Sequence, residues 1–287
     1  MARSVQRRRR KHILEAERGL SFTLFTLRIG SPVAVAPVLF RVSSPVGTRC
    51  LTMWVNFLWR SSNLFVRLPS PQEVVENAPD SFVRRGLRKV ALVLDGTEIE
   101  TERHWHADLA HVLWSPHKQR PTAKLLVGIT TWGNICFVSE AFGGHLSDVE
   151  ILRRSGLTEK LEKIGLCGKG FSIMVDRGFN PLGLDLVLKG MTLVGPPTLR
   201  KGEAQFSQED LHLSYGVARL RVHVERAIGA MKQWRFMGGK IPYRQMDLLG
   251  MAVYEIASIV NLTNAGFVSR TPVSHGGHPR EAEGSVP

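Results

Sequence analysis

Short apolar runs without helical period recur through the middle of the chain. They occupy 90–94 (VALVL), 124–130 (KLLVGIT), 135–139 (ICFVS) and 172–175 (SIMV), with a weaker one at 191–194. Runs of this length, rich in Val, Ile and Leu, predict buried strands. Trp132, Gly133 and Asn134 stand between the second and third runs and predict a hairpin turn. Helical spacing takes over elsewhere, at 12–28, 148–164, 207–235 and 245–262. In the last of these, Leu248, Leu249, Ala252, Val253, Ile256, Ile259 and Val260 form one apolar stripe. Hairpin strands with helices between and after them predict a mixed α/β domain with a partly antiparallel sheet.

The pattern also divides the chain. Residues 1–19 form a basic tail, and 20–70 predict a small helical segment with its longest helix near Thr52 to Leu58. Pro32, Pro37 and Pro45 interrupt that segment, which predicts short helices with turns between them rather than one continuous helix. Residues 71–85, rich in Pro, Ser and Asn, predict a linker. The α/β domain then extends over 86–264, and 265–287 has almost nothing to pack and predicts disorder. No apolar run approaches the ~18 residues of a spanning helix, so no membrane partner is expected.

Charge changes the picture more than composition does. The formal net charge is +13, and residues 1–70 hold twelve Arg or Lys against Glu15 and Glu17 alone. A field of one sign over a whole segment favours a polyanion, with DNA the first candidate. Arg7, Arg8, Arg9 and Arg10 have the character of a nuclear-import or phosphate-binding tail; an Arg-rich mitochondrial presequence is the competing account. The nucleus is the expected compartment, with the cytoplasm as a second. Three isolated cysteines, Cys50, Cys136 and Cys167, form no CxxC pair and do not suggest a thiolate zinc site.

Candidate chemistry lies in the carboxylates. The run 90–94 leads straight into Asp95, and 172–175 leads into Asp176, with a glycine close behind each. Two strand-end aspartates in one sheet would repel each other unless a cation lay between them. Asp148 follows Ser147 ahead of a helical segment, where a plain capping role competes with a ligand role. Glu225 is the one acid among seven Arg or Lys in 215–244, and a plain Arg221–Glu225 helix pair is its alternative. Oxygen ligands alone suit Mg²⁺ or Mn²⁺, the ions that serve in-line phosphoryl displacement. Lys118, Arg221, Lys232 and Arg235 are candidate phosphate contacts beside this cluster. His104, His106 and His111 invite a zinc site, but their spacing without cysteine support argues for an ordinary loop.

The blocks LVLDGTEI, WSPHKQRPTAKLLVGITTWGNICFVSEAFGGHLSDVEI, IMVDRGF, RLRVHVERAIGAMKQWRF and VNLTN resemble, in this order, the DDE superfamily endonuclease domain. The nearest group is the transposases and transposase-derived nucleases of PIF/Harbinger type. The resemblance covers about 86–264 and implies an RNase H-like fold, a mixed sheet flanked by helices, preceded here by the small basic helical segment. It implies Asp95, Asp176 and Glu225 as the catalytic and metal-binding triad, with Asp148 as a further metal ligand, and DNA strand cleavage as the activity. It also implies, as partners, DNA, a separate Myb-like DNA-binding protein and a second copy of the chain. Some relatives have become inactive DNA-binding proteins, which is the alternative reading. The chain departs from the group in the polar stretch ETERHWHADLAHVLW and in the prolines at 32–45, which interrupt a helix-turn-helix-like module.

Overall fold

The computed structural model describes residues 14–30, 35–61, 64–176, 178–179, 189–196 and 208–263. Arg7, Arg8, Arg9, Arg10 and the segment 265–287 lie outside them. Helices α1 (Ala16–Ile29), α2 (Val35–Leu39) and α3 (Ser44–Ser61) come first, then the short α4 (Pro71–Glu76) and α5 (Asp80–Val83). Pro37 sits in the first turn of the five-residue α2 and Pro45 in the first turn of α3. Those positions carry backbone N–H groups with no partner inside the helix, so proline starts these helices instead of breaking them. That is why α3 runs well beyond the expected Thr52–Leu58.

The sheet begins with β1 (Val90–Glu100). After α6 (Ala107–Leu113) come β2 (Trp114–Ser115), β3 (Arg120–Ile129), β4 (Ile135–Val138) and β5 (Phe142–Gly143). Helices α7 (Asp148–Arg154) and α8 (Leu157–Lys163) lead to β6 (Ser172–Met174) and β7 (Thr192–Val194). The chain continues with α9 (Gln208–Lys232), α10 (Arg235–Gly238) and α11 (Met246–Thr263). Gly156, at φ +68°, divides the expected single helix over 148–164 into α7 and α8.

The long path through the sheet is β4-β3-β1-β6-β7, with β2 and β5 as short additions along β3. β4, β3 and β1 are antiparallel, whereas β6 and β7 run parallel to β1. The turn at Trp132-Gly133-Asn134 joins β3 to β4 as expected, with Gly133 at φ +97°. This is a mixed sheet flanked by helices and preceded by helical segments, in agreement with the sequence pattern.

One strand differs instructively. The apolar run 90–94 is only half of β1, which continues through Asp95 to Glu100. β3 pairs with it as far as Glu100↔Thr122, but β6 accompanies it only to Val93↔Met174. Asp95 therefore lies in mid-strand rather than at an end, at the place where β1 loses its neighbour on one side.

Two cores lie on the two faces of the sheet. On one, Leu92, Leu94 and Ile173 pack against Ile151 and Leu152 of α7 and Leu157 and Leu161 of α8. On the other, Val93, Leu125, Val127 and Met174 meet α9 through Leu220, Val224, Ala227 and Met231. These α9 positions repeat at helical spacing, so one stripe of a long helix covers the sheet. Phe22 and Leu27 of α1 and Leu51 and Val55 of α3 belong to the same core, so the N-terminal helices are packed into the body of the α/β domain. α11 is long and apolar enough to cross a bilayer by length and composition, but Leu249, Ala252, Val253, Ile256 and Val260 are buried in this core.

Candidate active site

A cavity of about 610 Å³ opens where β1 loses β6 as a neighbour. Asp95 from β1, Asp148 from α7, Asp176 after β6 and Glu225 from α9 all line it. Four elements far apart in sequence thus bring all four expected carboxylates to one place. Lys118, Lys124, Lys232 and His117 complete the polar wall, with Thr97 and Glu98 from the outer half of β1.

Asp95 and Asp148 are each seated by a local device. The Asp95 carboxylate accepts a hydrogen bond from the Gly96 N–H at 2.9 Å. Ser147 is the N-cap of α7 and accepts from the Glu150 N–H at 3.2 Å. That leaves Asp148, the first residue of the helix, with its side chain turned to the cavity. Gly96 makes room for it, since a Cβ there would lie 2.7 Å from Asp148 Oδ1. A Cβ on Gly178 would stand 3.2 Å from the other oxygen, so Asp148 is seated between β1 and the chain following β6. Glu225 is exposed on α9, one turn beyond Arg221.

Cations already stand among these acids. Arg221 is buried, donates from Nη1 to Asp176 Oδ1 at 2.8 Å and places Nη2 3.6 Å from Asp95 Oδ1. Lys124 Nζ lies 3.0 Å from Asp148 Oδ1 and donates to the Leu146 carbonyl at 3.2 Å. The first contact is ionic rather than a well-directed hydrogen bond, because Asp148 Oδ1 is buried without a hydrogen-bond partner. The helix pair Arg221–Glu225 considered from spacing does not form among the described residues; burial turns the guanidinium inward to Asp176 and Asp95.

The electrostatics follow from this crowding. Burial pushes the Asp95 carboxyl up to about 6; Arg221 and the Gly96 N–H pull it down, and Asp176 and Asp148 push it further up. Lys232 is moved the other way, below the usual ammonium range, by burial and then by Lys118. Both groups are less readily charged than in water, a common property of residues arranged for chemistry.

Among the described residues, no group of three His, Cys, Asp or Glu is arranged as a ready metal-ligand set. Arg221 and Lys124 stand among these acids as ion-pair partners. The donor chemistry nevertheless suits a hard divalent cation, being all carboxylate, with one buried oxygen on Asp148 lacking a hydrogen bond.

The other expected residues are distributed differently. Lys118 and Lys232 line the cavity, while Arg235 is exposed at the start of α10 and does not. Arg221 is committed to carboxylates rather than to an open surface. His104 is buried, accepts from the His106 N–H at 3.0 Å and packs on Tyr243. Sequence reasoning missed Lys124. Its signal was a lysine at the head of the apolar run KLLVGIT, inside a strand whose following residues are buried.

The profile of the family described as DDE superfamily endonuclease matches residues 94–261, more than half of the chain. No curated protein and no solved structure matches it. The matched span begins one residue before Asp95 and includes Asp148, Asp176 and Glu225.

Proposed function

The chain belongs to the DDE superfamily of endonucleases, and we propose that it is a divalent-metal-dependent DNA endonuclease of transposase type. The observation that carries this reading is the single cavity with Asp95, Asp148, Asp176 and Glu225 on its wall. Asp95, Asp176 and Glu225 are the catalytic acids, and with Asp148 they would hold Mg²⁺ or Mn²⁺. Such ions, when bound, activate the attacking water and stabilise the leaving oxygen of an in-line displacement.

The protein's own groups supply the rest. Lys118 and Lys232 attract and position the phosphate backbone without reading sequence. Arg221 braces Asp95 and Asp176 from behind, and Lys124 does the same for Asp148. The strand β1 gives Asp95 a rigid mount. An arginine run at residues 7–10 suits work in the nucleus on a polyanion, with a Myb-like protein or a second copy supplying target choice.

A second reading is favoured by one observation. Arg221 and Lys124 engage three of the four acids in ion pairs, as they would in a DNA-binding protein that keeps the fold without turnover. Cleavage of labelled duplex DNA with Mg²⁺ or Mn²⁺ separates the two. The nuclease reading expects metal-dependent nicking that Asp95→Asn and Glu225→Gln each abolish. Salt-sensitive DNA binding with no metal-dependent nicking in any variant would establish the binding protein instead.

A further inference from the structure

A second cavity, of about 660 Å³, lies on the face of α9 adjoining the one that carries Glu225. Arg28, Arg226, Gly229, Ala230, Gln233, Trp234, Val260 and Thr263 line it, with no acid among them. The helix itself relates the two cavities. Glu225, Ile228, Gly229 and Lys232 face the carboxylate side, whereas Arg226, Gly229, Ala230 and Gln233 face the other. These are two adjacent stripes at spacings of three and four residues. Gly229 belongs to both and is the low point of the ridge between them.

No contact among the described residues accounts for Gly229. It stands exposed inside a 25-residue helix, where glycine costs up to ~1 kcal/mol relative to alanine. A Cβ built on it meets nothing within 4 Å. Among the described residues nothing fills the space its Cβ would take, so the ridge is open to a close approach there.

The basic side of the ridge is pre-built. The guanidinium of Arg28, in the last turn of α1, lies 5.5 Å from the centre of the Trp234 ring, a cation–π placement. Gly30, at φ +59°, ends α1 against α10; a Cβ there would come within 2.7 Å of the Arg235 backbone. This seat holds Arg28 beside α9. Neither Arg28 nor Arg226 has an ion-pair partner among the described residues.

We propose that this cavity is a phosphate-binding subsite for DNA: the strand engaged at the carboxylates crosses α9 over Gly229, and Arg28 and Arg226 clamp its phosphates beyond. The proposal rests on the DNA reading above and adds the path of the strand. It gives the N-terminal helices a role in holding the backbone through α1, with no base reading required.

The test is anisotropy of a labelled duplex with the full chain in EDTA, at several salt concentrations. Each phosphate contact adds about 0.9 to the slope of log affinity against log salt, so Arg28→Ala/Arg226→Ala should lower it by about 1.8. Arg84→Ala/Arg85→Ala removes two exposed arginines that line neither cavity and should leave the slope in place. Gly229→Leu raises helix propensity, so its melting temperature should hold or rise while binding weakens about tenfold. A double arginine variant and a Gly229→Leu protein that both bind like wild type overturn the path while leaving the DNA reading intact. A wild-type chain with no salt-dependent affinity for DNA sinks both.

Discussion

The two halves of β1 share a strand and almost nothing else. Val90 to Leu94 is fully buried; β6 accompanies it from Val90 to Val93, and β3 joins on the other side at Val93. From Asp95 onward only β3 accompanies the strand, and the residues alternate between buried and half-buried. The first half stabilises the fold by removing apolar surface from water. The second half, mounted on the first, carries acids into a cavity at some cost in stability. A carboxylate can be half-buried here because the neighbouring strand has ended and other elements, carrying Asp176 and Asp148, can converge on the gap.

The sharpest way to break the comparison is in the first half. Leu92 is fully buried in the core against α7 and α8. Leu92→Ala should cost about 2–5 kcal/mol in denaturant unfolding, with unchanged cleavage or DNA affinity per folded molecule. A selective loss of activity at full stability would refute the division of labour.

Next comes the brace of the second half. Arg221→Met leaves Asp95 and Asp176 facing each other without their cation, and should destabilise by about 3 kcal/mol. Adding Arg221→Met to Asp95→Asn should cost clearly less than adding it to wild type, and a double-mutant cycle checks this. Additive effects would mean that the guanidinium works mainly through Asp176.

Asp95→Asn by itself should act in the opposite direction. The native carboxyl titrates near 6 against about 3.8 in an unfolded chain, so its pKa is raised on folding. The stability from this group is therefore complete below about pH 4 and is lost as pH rises towards 6. Relative to wild type, the asparagine variant should gain roughly 2–3 kcal/mol between those values and stay level above them, while losing cleavage. Melting curves from pH 4 to 8 read this directly; a constant offset across that range would contradict it.

The smallest effect belongs to Gly96. A methyl group there would press on Asp148 Oδ1 at 2.7 Å. Gly96→Ala should cost about 1–2 kcal/mol by forcing Asp148 aside, visible as a lowered melting temperature. The same change at Gly86, where nothing lies within 4 Å of a built Cβ but φ is +73°, isolates backbone strain from side-chain contact.

Much of this was legible beforehand. The apolar runs located five of the strands, four of them because burial on both faces demands an uninterrupted apolar stretch; the weak run belongs to β7, an edge strand that is only partly buried. The α11 stripe was legible for the analogous helical reason. The resemblance named Asp95, Asp148, Asp176 and Glu225, and all four line one cavity. What misled was local reasoning at polar positions. The end of the apolar run at Leu94 looked like the end of a strand, although backbone pairing with β3 does not depend on apolar side chains. Arg221 and Glu225 looked like a helix pair because four-residue spacing allows it, and burial sent the arginine to two aspartates instead.

The sequence by itself determined which segments must be buried, which helices have a stripe to bury, and which carboxylates are available at strand and helix ends. Those properties follow from periodicity and residue type, and both are local. Only the tertiary structure decided that β6 stops short of Asp95, that Gly96 admits Asp148, that Arg221 and Lys124 stand among the acids, and that Arg28 from the first helix reaches Trp234. Each of these depends on distances between residues remote in the chain. Charge–charge energies change steeply over such distances, and the sequence pattern contains no measure of them.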